Sequence, residues 1–405
     1  MAAAPRTLGL DAGRLALMDR FLAEKYLAPG RLPCAMTLVA RGGEIAHWGV
    51  QGFADLERGE KITEDTVFRI YSMTKPVTSV ALMMLVEEGR IALDDPVHRH
   101  IPAWKNLAVF EAGFIGTFRT KRPARPMLVV DLLRHTAGLT YGFQNRTNVD
   151  AAYRKRGIGD LPHKGSLATM IEGLADLPLE FSPGAAWNYS VATDVCGYLV
   201  QAVSGIPFPQ FLSERIFAPL GMCDTGFEVA PGARERFASC YMATPGGGMV
   251  RSDDARSSVY LAPPEFVSGG GGLVSTAADY LKFCRMLIQG GVLDGQRLLG
   301  RKTVELMTQN HLPGGRFLTD MSLSLFSEAA YDGIGFGLGF AVTVDPVRTL
   351  LPGSAGEYSW GGAASTYFWI DPKEDLIVIF MTQLLPSTLY PLRRELRTMA
   401  YAALT

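Results

Sequence analysis

The two ends of the chain mirror each other, and this symmetry limits the folds that the chain can adopt. Near the amino terminus, a helix predicted over Asp11–Leu27 is followed by two β-type runs, Met36–Ala40 and Ile45–Phe53, with a glycine turn between them. Near the carboxyl terminus the order is reversed, with two strands and then a helix predicted over Tyr358–Ile370, Leu376–Thr382 and Ser387–Ala403. One antiparallel sheet formed from both ends, with the terminal helices on a face, buries all four strands.

The middle of the chain is rich in predicted helices, which indicates an insertion between the two halves of the sheet. The candidates are Met73–Glu88, Leu128–Leu133, Ser166–Ala175, Thr193–Val203 and Thr276–Gln289. We expect a mixed α/β (α+β) architecture in which residues 1–95 and 272–405 form a sheet domain and residues 96–271 a helical domain. The active site would then lie in the cleft between them. Two long irregular segments, Ala230–Gly272 and Leu312–Gly339, are expected to wall a binding site.

Composition excludes several classes of function. The 39 basic and 40 acidic side chains nearly cancel, which gives no global field to attract nucleic acid or an anionic membrane. We find no apolar run long enough to span a membrane and no apolar signal core, so the sequence predicts a cytoplasmic protein with no nucleic-acid or membrane partner.

The cysteines and histidines give no sign of a metal site. The five cysteines are scattered and never spaced as Cys-x-x-Cys, which predicts reduced, buried thiols; they are Cys34, Cys196, Cys223, Cys240 and Cys284. The six histidines contain no His-x-x-x-His pair; they are His47, His98, His100, His135, His163 and His311. We predict neither a metal nor a cofactor.

One motif carries a possible nucleophile. Ser72 is the only serine with a lysine three residues later, Lys75, and the pair lies where a strand-like segment, Thr66–Tyr71, gives way to an apolar helix. Residues three apart share a helix face, so the hydroxyl and the amine can come within hydrogen-bond reach. A buried lysine favours its neutral form, which can take a proton from the serine.

The same motif also has a simpler interpretation, in which Ser72 caps a helix and Lys75 is solvated. Chance alone supplies about one Ser-x-x-Lys in a chain of this length. A different hydrolase architecture, the Gly-x-Ser-x-Gly elbow of α/β-hydrolases, is not present: Ser354 comes nearest but lacks the first glycine.

Further motifs in order along the chain support the catalytic interpretation. With them the chain resembles serine β-lactamases and penicillin-recognising enzymes, and most closely the family VIII carboxylesterases of the β-lactamase fold. Besides Ser72–Lys75, the motifs are Leu132–Leu139, Tyr189–Val191, Pro219–Met222, Gly271–Thr276 and Trp360–Gly362.

The resemblance implies a role for each site residue. Ser72 would be the acylated nucleophile, Lys75 its base partner and Tyr189 a phenol that shuttles protons. The segment Trp360-Gly361-Gly362 would take the place of the Lys-Thr-Gly motif on the strand that lines the cleft. The backbone N–H groups of Ser72 and Ala363 would then form the oxyanion hole. His135 is expected to be structural. Without the resemblance, Tyr189 would be interpreted as a core tyrosine. Trp360 would then be interpreted equally well as a sheet aromatic or as a site residue.

Two departures from the β-lactamase pattern bear on the substrate. Val191 stands where that pattern has an asparagine, and Trp360 stands where it has the lysine that helps to hold the β-lactam carboxylate. Both changes remove polar anchors and favour a neutral, hydrophobic acyl compound. The sequence therefore predicts a serine esterase for small or hydrophobic carboxylic esters. β-Lactamase or D-amino-acid peptidase activity, acyl transfer to an alcohol or amine, and ligand binding without turnover remain alternatives.

Overall fold

The computed structural model describes residues 3–159, 165–323 and 332–405, which form one eight-stranded sheet, smaller sheets and surrounding helices. The strands are β1 (Cys34–Arg41), β2 (Glu44–Asp55), β3 (Glu60–Lys61), β4 (Phe68–Arg69), β5 (Val109–Ala112), β6 (Arg119–Lys121), β7 (Cys240–Ala243), β8 (Met249–Asp253), β9 (Val274–Ser275), β10 (Val292–Leu293), β11 (Gln296–Arg297), β12 (Ile334–Phe336), β13 (Ala341–Thr343), β14 (Tyr358–Gly361), β15 (Tyr367–Asp371), β16 (Leu376–Met381) and β17 (Leu384–Leu385). The α-helices are α1 (Ala12–Leu22), α2 (Thr74–Glu87), α3 (Val129–Leu133), α4 (Asn148–Lys155), α5 (Leu167–Ala175), α6 (Ala192–Ser204), α7 (Phe208–Leu212), α8 (Ala218–Leu220), α9 (Ala277–Ile288), α10 (Arg301–Met307), α11 (Leu318–Met321), α12 (Pro346–Thr349) and α13 (Leu392–Tyr401).

The large sheet joins the two ends of the chain. Its strand order is β12-β13-β14-β15-β16-β1-β2-β3, and the neighbours pair antiparallel. Within it, Leu38 of β1 lies opposite Ile379 of β16 on one side and Trp48 of β2 on the other. All but the last residue of β1 are buried because both faces of the sheet are covered. The predicted fold class, an antiparallel sheet built from both ends with a helical insertion, is confirmed.

The terminal helices cover one face of this sheet. Met18 and Leu22 of α1 pack with Leu392 and Leu396 of α13 and with Trp369 of β15 in one buried cluster. Each fully buried side chain of this kind stabilises the fold by about 1.5–3 kcal/mol. The predicted amino-terminal helix continues past α1 as a π-helical turn over Ala23–Leu27, and the predicted carboxyl-terminal helix begins later than expected, after Pro391.

The opposite face of the sheet holds the larger core, and α2 lies inside it. Every residue of α2 from Thr74 to Leu85 is buried, and α6 packs along it. An all-round apolar helix of this kind needs neighbours on every side. The start of α2, where Lys75 lies, is therefore enclosed by protein.

Two expectations about the chain between these elements need correction. The predicted strand Tyr358–Ile370 is two strands, β14 and β15, because the chain reverses through residues 362–366, where Ser365 has a φ of 68°. The two long segments also contain structure: β7, β8 and two 3-10 turns lie in Ala230–Gly272, while a 3-10 turn, α11 and β12 lie in Leu312–Gly339. Residues 324–331 of the second segment, like His163, lie outside the described residues.

Cysteines, metal ligands and membrane helices were also expectations from the sequence. All five thiols are free; four are buried, but Cys223 is exposed, so the prediction of burial is wrong for that residue. Across the described ranges, no group of three or more His, Cys, Asp or Glu side chains is arranged to hold a metal ion. Within the same ranges, no helix combines the length and the apolar character that crossing a bilayer requires.

Candidate active site

Ser72 lies at a sharp change of direction between β4 and α2. Tyr71, directly before it, has a φ of 41°, in the left-handed region that a bulky residue rarely adopts. A short 3-10 turn over Tyr71–Met73 then leads into α2. Arg69 anchors the approach: its guanidinium is fully buried and lies 2.6 Å from Asp253. Strain at such a position costs about 1–3 kcal/mol and persists only where surrounding structure enforces it.

Lys75 lies one turn further along, behind Ser72, and its side chain is 2% exposed. Its Nζ donates to the carbonyl oxygen of Gly270 over 2.6 Å, to the Tyr141 hydroxyl over 3.1 Å and to Ser72 Oγ over 3.3 Å. Nζ also lies 4.4 Å from the centre of the Tyr189 ring. Three acceptors match the three protons of an ammonium group, so this pocket holds the lysine in one position.

Tyr189 approaches Ser72 from the other side. Its hydroxyl donates to Ser72 Oγ over 2.5 Å, and its side chain is 5% exposed. Backbone contacts fix the segment that carries it: the N–H of Asn188 donates to His135 O and the N–H of Val191 to Thr140 O. Ser72 Oγ thus has a lysine and a phenol within hydrogen-bond distance, which is an arrangement that can activate a hydroxyl.

Burial sets the protonation of two neighbouring groups. Burial and the positive charge of Lys75 hold the pKa of His135 well below its usual value, so the ring is neutral. Its Nδ1 lies 3.3 Å from Ser190 Oγ. Burial, together with the negative charge of Asp194 and the nearby Tyr189, raises the pKa of Tyr141 well above 10. Tyr141 therefore keeps its proton while it accepts the bond from Lys75.

The edge of β14 and the turn after it form the third side of the site. Gly362 packs so tightly that a Cβ there would lie 2.4 Å from Ile70 O and 2.2 Å from Thr366 Oγ1. Only glycine lets this strand backbone come so close to the segment that precedes Ser72. Trp360 lies with its ring centre 5.6 Å from that of Tyr189, and its Nε1 has no hydrogen-bond partner among the described residues.

A cavity of about 500 Å³ opens over Ser72. Its lining includes six of the seven predicted site residues: Ser72, Tyr189, Trp360, Gly361, Gly362 and Ala363. The seventh, Lys75, lies behind Ser72 and reaches Ser72 Oγ from below. The structure thus brings the predicted side chains to one cavity. Ser268, Gly270 and Met242 of the first long segment and Ile334 of the second also line it.

Three features of the site were not predicted. Tyr141 and the Gly270 carbonyl accept hydrogen bonds from Lys75. Their spacing from Ser72 in the sequence does not mark either residue as part of the site. Tyr141 follows the Leu132–Leu139 motif by two residues, and this is the only sequence signal that points to it. The third feature is a set of arginines on α13 that line the cavity, Arg393, Arg394 and Arg397. Arg393 donates to the carbonyl oxygen of Gly362 over 3.2 Å.

The sheet, the buried Ser-x-x-Lys helix and the facing tyrosine define a β-lactamase/transpeptidase-like fold. The family model described as Beta-lactamase matches residues 20–402, and the chain belongs to that family.

Relatives within this fold include esterases and an acyltransferase. Esterase EstB of Burkholderia gladioli is 30% identical over 98% of this chain and 98% of its own length. Monacolin J acid methylbutanoyltransferase of Aspergillus terreus is 30% identical over 80% of this chain and 78% of its own. The solved structure of EstCE1, "a hydrolase with promiscuous acyltransferase activity", has a TM-score of 0.78 and 27% identity, and covers 96% of this chain and 99% of its own. The predicted resemblance to family VIII esterases is confirmed, and the chain is a hydrolase of this fold.

Proposed function

We propose that this protein is a serine carboxylesterase that forms an acyl-enzyme on Ser72. One observation carries the proposal: the Tyr189 hydroxyl and the Lys75 amine lie 2.5 Å and 3.3 Å from the same oxygen, Ser72 Oγ. Such a pair provides both a base to remove the serine proton and an acid to protonate a leaving group. The esterase relatives support ester hydrolysis or acyl transfer as the reaction class.

In the proposed acylation step, Lys75 or Tyr189 reacts in its deprotonated form, as an amine or a phenolate. Ser72 Oγ attacks the ester carbonyl and its proton passes to that group. The backbone N–H groups of Ser72 and Ala363 hold the tetrahedral oxyanion, and each donor of this kind stabilises the transition state by about 2.7–4 kcal/mol. The C–O bond to the alcohol then breaks, and the alcohol leaves with the stored proton. In deacylation, water gives a proton to the same group and attacks the acyl carbonyl. The bond between the acyl carbon and Ser72 Oγ then breaks, the stored proton returns to Ser72 Oγ, and the acid is released.

The site draws on three stretches of the chain, which supports the division into two domains. Ser72 and Lys75 come from residues 1–95, Tyr189 from residues 96–271 and Trp360 from residues 272–405. We propose that the cleft between a sheet domain and a helical domain holds a small-molecule ester as the only partner that catalysis needs.

The lining supports neutral, hydrophobic acyl groups as substrates. Trp360 presents a largely apolar ring to the cavity. Val191 is fully buried outside the lining, and its side chain has no donor to offer a substrate. A β-lactam would find neither a lysine at the first position nor an amide at the second. β-Lactamase or D-amino-acid peptidase activity is tested by comparing a chromogenic cephalosporin with a short-chain nitrophenyl ester, and a cephalosporin rate far above the ester rate would reverse our order.

Acyl transfer is the second candidate, and the transferase activities named for EstCE1 and for the Aspergillus terreus relative favour it. An alcohol that replaces water at the acyl-enzyme would give a new ester instead of an acid. Product analysis with added alcohol or amine acceptors separates the two outcomes.

The central experiment is a series of nitrophenyl esters of increasing acyl length, assayed with the wild type, Ser72→Ala and Ser354→Ala. We expect Ser72→Ala to lose all ester turnover and Ser354→Ala, a buried serine outside the proposed machinery, to match the wild type. A serine-reactive phosphonate followed by mass spectrometry should modify Ser72 alone. A wild type that binds esters without turnover or labelling would favour the binding alternative and overturn the proposal.

A further inference from the structure

Asp194 is a buried carboxylate that the proposed mechanism does not use. It lies in the first turn of α6, five residues after Tyr189, and has no exposed surface. Burying a charge without partners costs several kcal/mol, so a group of this kind needs a compensating role. The hydrogen bonds of its carboxylate connect it to Lys75.

One oxygen of Asp194 holds the segment that receives the lysine. Oδ1 accepts from Ser268 Oγ over 2.6 Å and from the N–H of Gly270 over 2.9 Å. The carbonyl of the same Gly270 accepts the shortest bond of Lys75, at 2.6 Å. A single glycine therefore links the carboxylate to the amine through its own backbone.

The other oxygen faces the second acceptor of Lys75. Asp194 Oδ2 has no hydrogen-bond partner among the residues that the structure describes. A Cβ built on Gly270 would lie 2.8 Å from Oδ2 and 2.9 Å from the Tyr141 hydroxyl, so both oxygens crowd the same side of this glycine. The carboxylate therefore acts on the Tyr141 hydroxyl through its charge, and this charge contributes to the raised pKa of Tyr141.

We propose that Asp194 is a positioning residue that fixes one buried acceptor of Lys75, the Gly270 carbonyl, and places a negative charge beside the other, the Tyr141 hydroxyl. This inference rests on the proposed function of Ser72 and Lys75. Asp194 does not touch the reacting atoms; it acts through Gly270 and Tyr141.

The charge has a consequence for pH dependence. Asp194 contributes to the raised pKa of two groups, Tyr141 and Cys196 on α6 itself. It is also joined to Lys75 on α2 through the backbone of Gly270. A buried negative charge favours the protonated form of a neighbouring titratable group. Without that charge, the group that must lose a proton before Ser72 reacts would lose it at lower pH.

The test measures the rate at which a serine-reactive phosphonate labels Ser72 as a function of pH, so that no natural substrate is needed. Asp194→Asn keeps an oxygen for Ser268 and Gly270 but removes the charge. We expect its acid limb to move toward lower pH and its plateau rate to fall roughly tenfold. Ser268→Ala, which keeps the charge and loosens the Gly270 segment, should label a few fold more slowly with an unmoved acid limb.

Asp150→Asn is the matched control, since Asp150 is another fully buried aspartate in the first turn of a helix, α4. It should leave both the plateau and the acid limb unchanged. An Asp194→Asn protein that is folded by circular dichroism and keeps the wild-type profile would refute the inference while leaving the proposed function intact. If Asp194→Asn does not fold, a Ser268→Ala protein that is labelled at the wild-type rate would refute the inference instead. A wild type that is not labelled at all would overturn the proposed function, and this inference with it.

Discussion

Replacing Gly362 by alanine tests the proposed oxyanion hole through geometry alone. The new Cβ would lie 2.4 Å from Ile70 O and 2.2 Å from Thr366 Oγ1, whereas carbon–oxygen contacts need more than 3 Å. Thr366 is a side chain and can turn aside, but Ile70 O is backbone and precedes Ser72 by two residues. The turn at residues 362–366 must therefore move away from Ser72 by about 0.5–1 Å. Overpacking of this kind costs about 1–3 kcal/mol of folding free energy.

The catalytic cost should be larger than the cost in stability. A displacement near 1 Å of groups that hold the reacting atoms lowers rates by about 10²-fold, and loss of one oxyanion donor costs about 10²–10³-fold in kcat. We expect Gly362→Ala to lower kcat for nitrophenyl esters about 10²-fold with a folded, slightly less stable protein. Gly246→Ala, where a Cβ meets no atom within 4 Å, is the control. A Gly362→Ala enzyme with wild-type kcat would refute the assignment of Ala363 to the oxyanion hole.

Three other outcomes follow from the structure. Tyr189→Phe keeps the buried ring but removes the hydroxyl, so kcat should fall about 10²–10⁴-fold with little change in KM; a loss below threefold would contradict a proton-transfer role. His135→Asn suits the φ of 57° and should change how stability depends on pH. In the wild type the free energy of unfolding should fall below about pH 6.5, because the unfolded chain takes up a proton on His135 that the buried ring does not. Denaturant titrations should find a smaller fall in the variant. A thiol-exchange reagent should label Cys223 alone in the native protein and five thiols after unfolding, and labelling of two or more native thiols would contradict the burial of the others.

Local sequence periodicity predicted those features of the fold that depend on residues within a single helix or strand. The burial of α2 follows from its apolar residues on all sides, and the approach of Ser72 and Lys75 follows from their spacing of three along the chain. One antiparallel sheet formed from both ends was predicted because all four terminal strands needed partners, and the pairing of β1 with β16 is the contact that joins the two ends.

The remainder depends on contacts between distant segments. The turn between β14 and β15 interrupts a run that reads as continuous strand, and it forms because Gly362 must pass close to Ile70. The Gly270 carbonyl reaches Lys75 only when the chain between β8 and β9 lies against α2, where Thr78 Oγ1 donates to Gly269 O. A backbone carbonyl also leaves no residue-type signature, so no sequence pattern can reveal it.

The pairing of β1 with β16 also affects how the chain is made. Leu38 meets Ile379 only after roughly 340 further residues have been synthesised, which takes about 20–70 seconds at ribosomal speeds. Until then one edge of an apolar strand lacks its partner, and such edges template aggregation. Nascent chains of this protein should therefore depend on chaperone protection until β16 has left the ribosome.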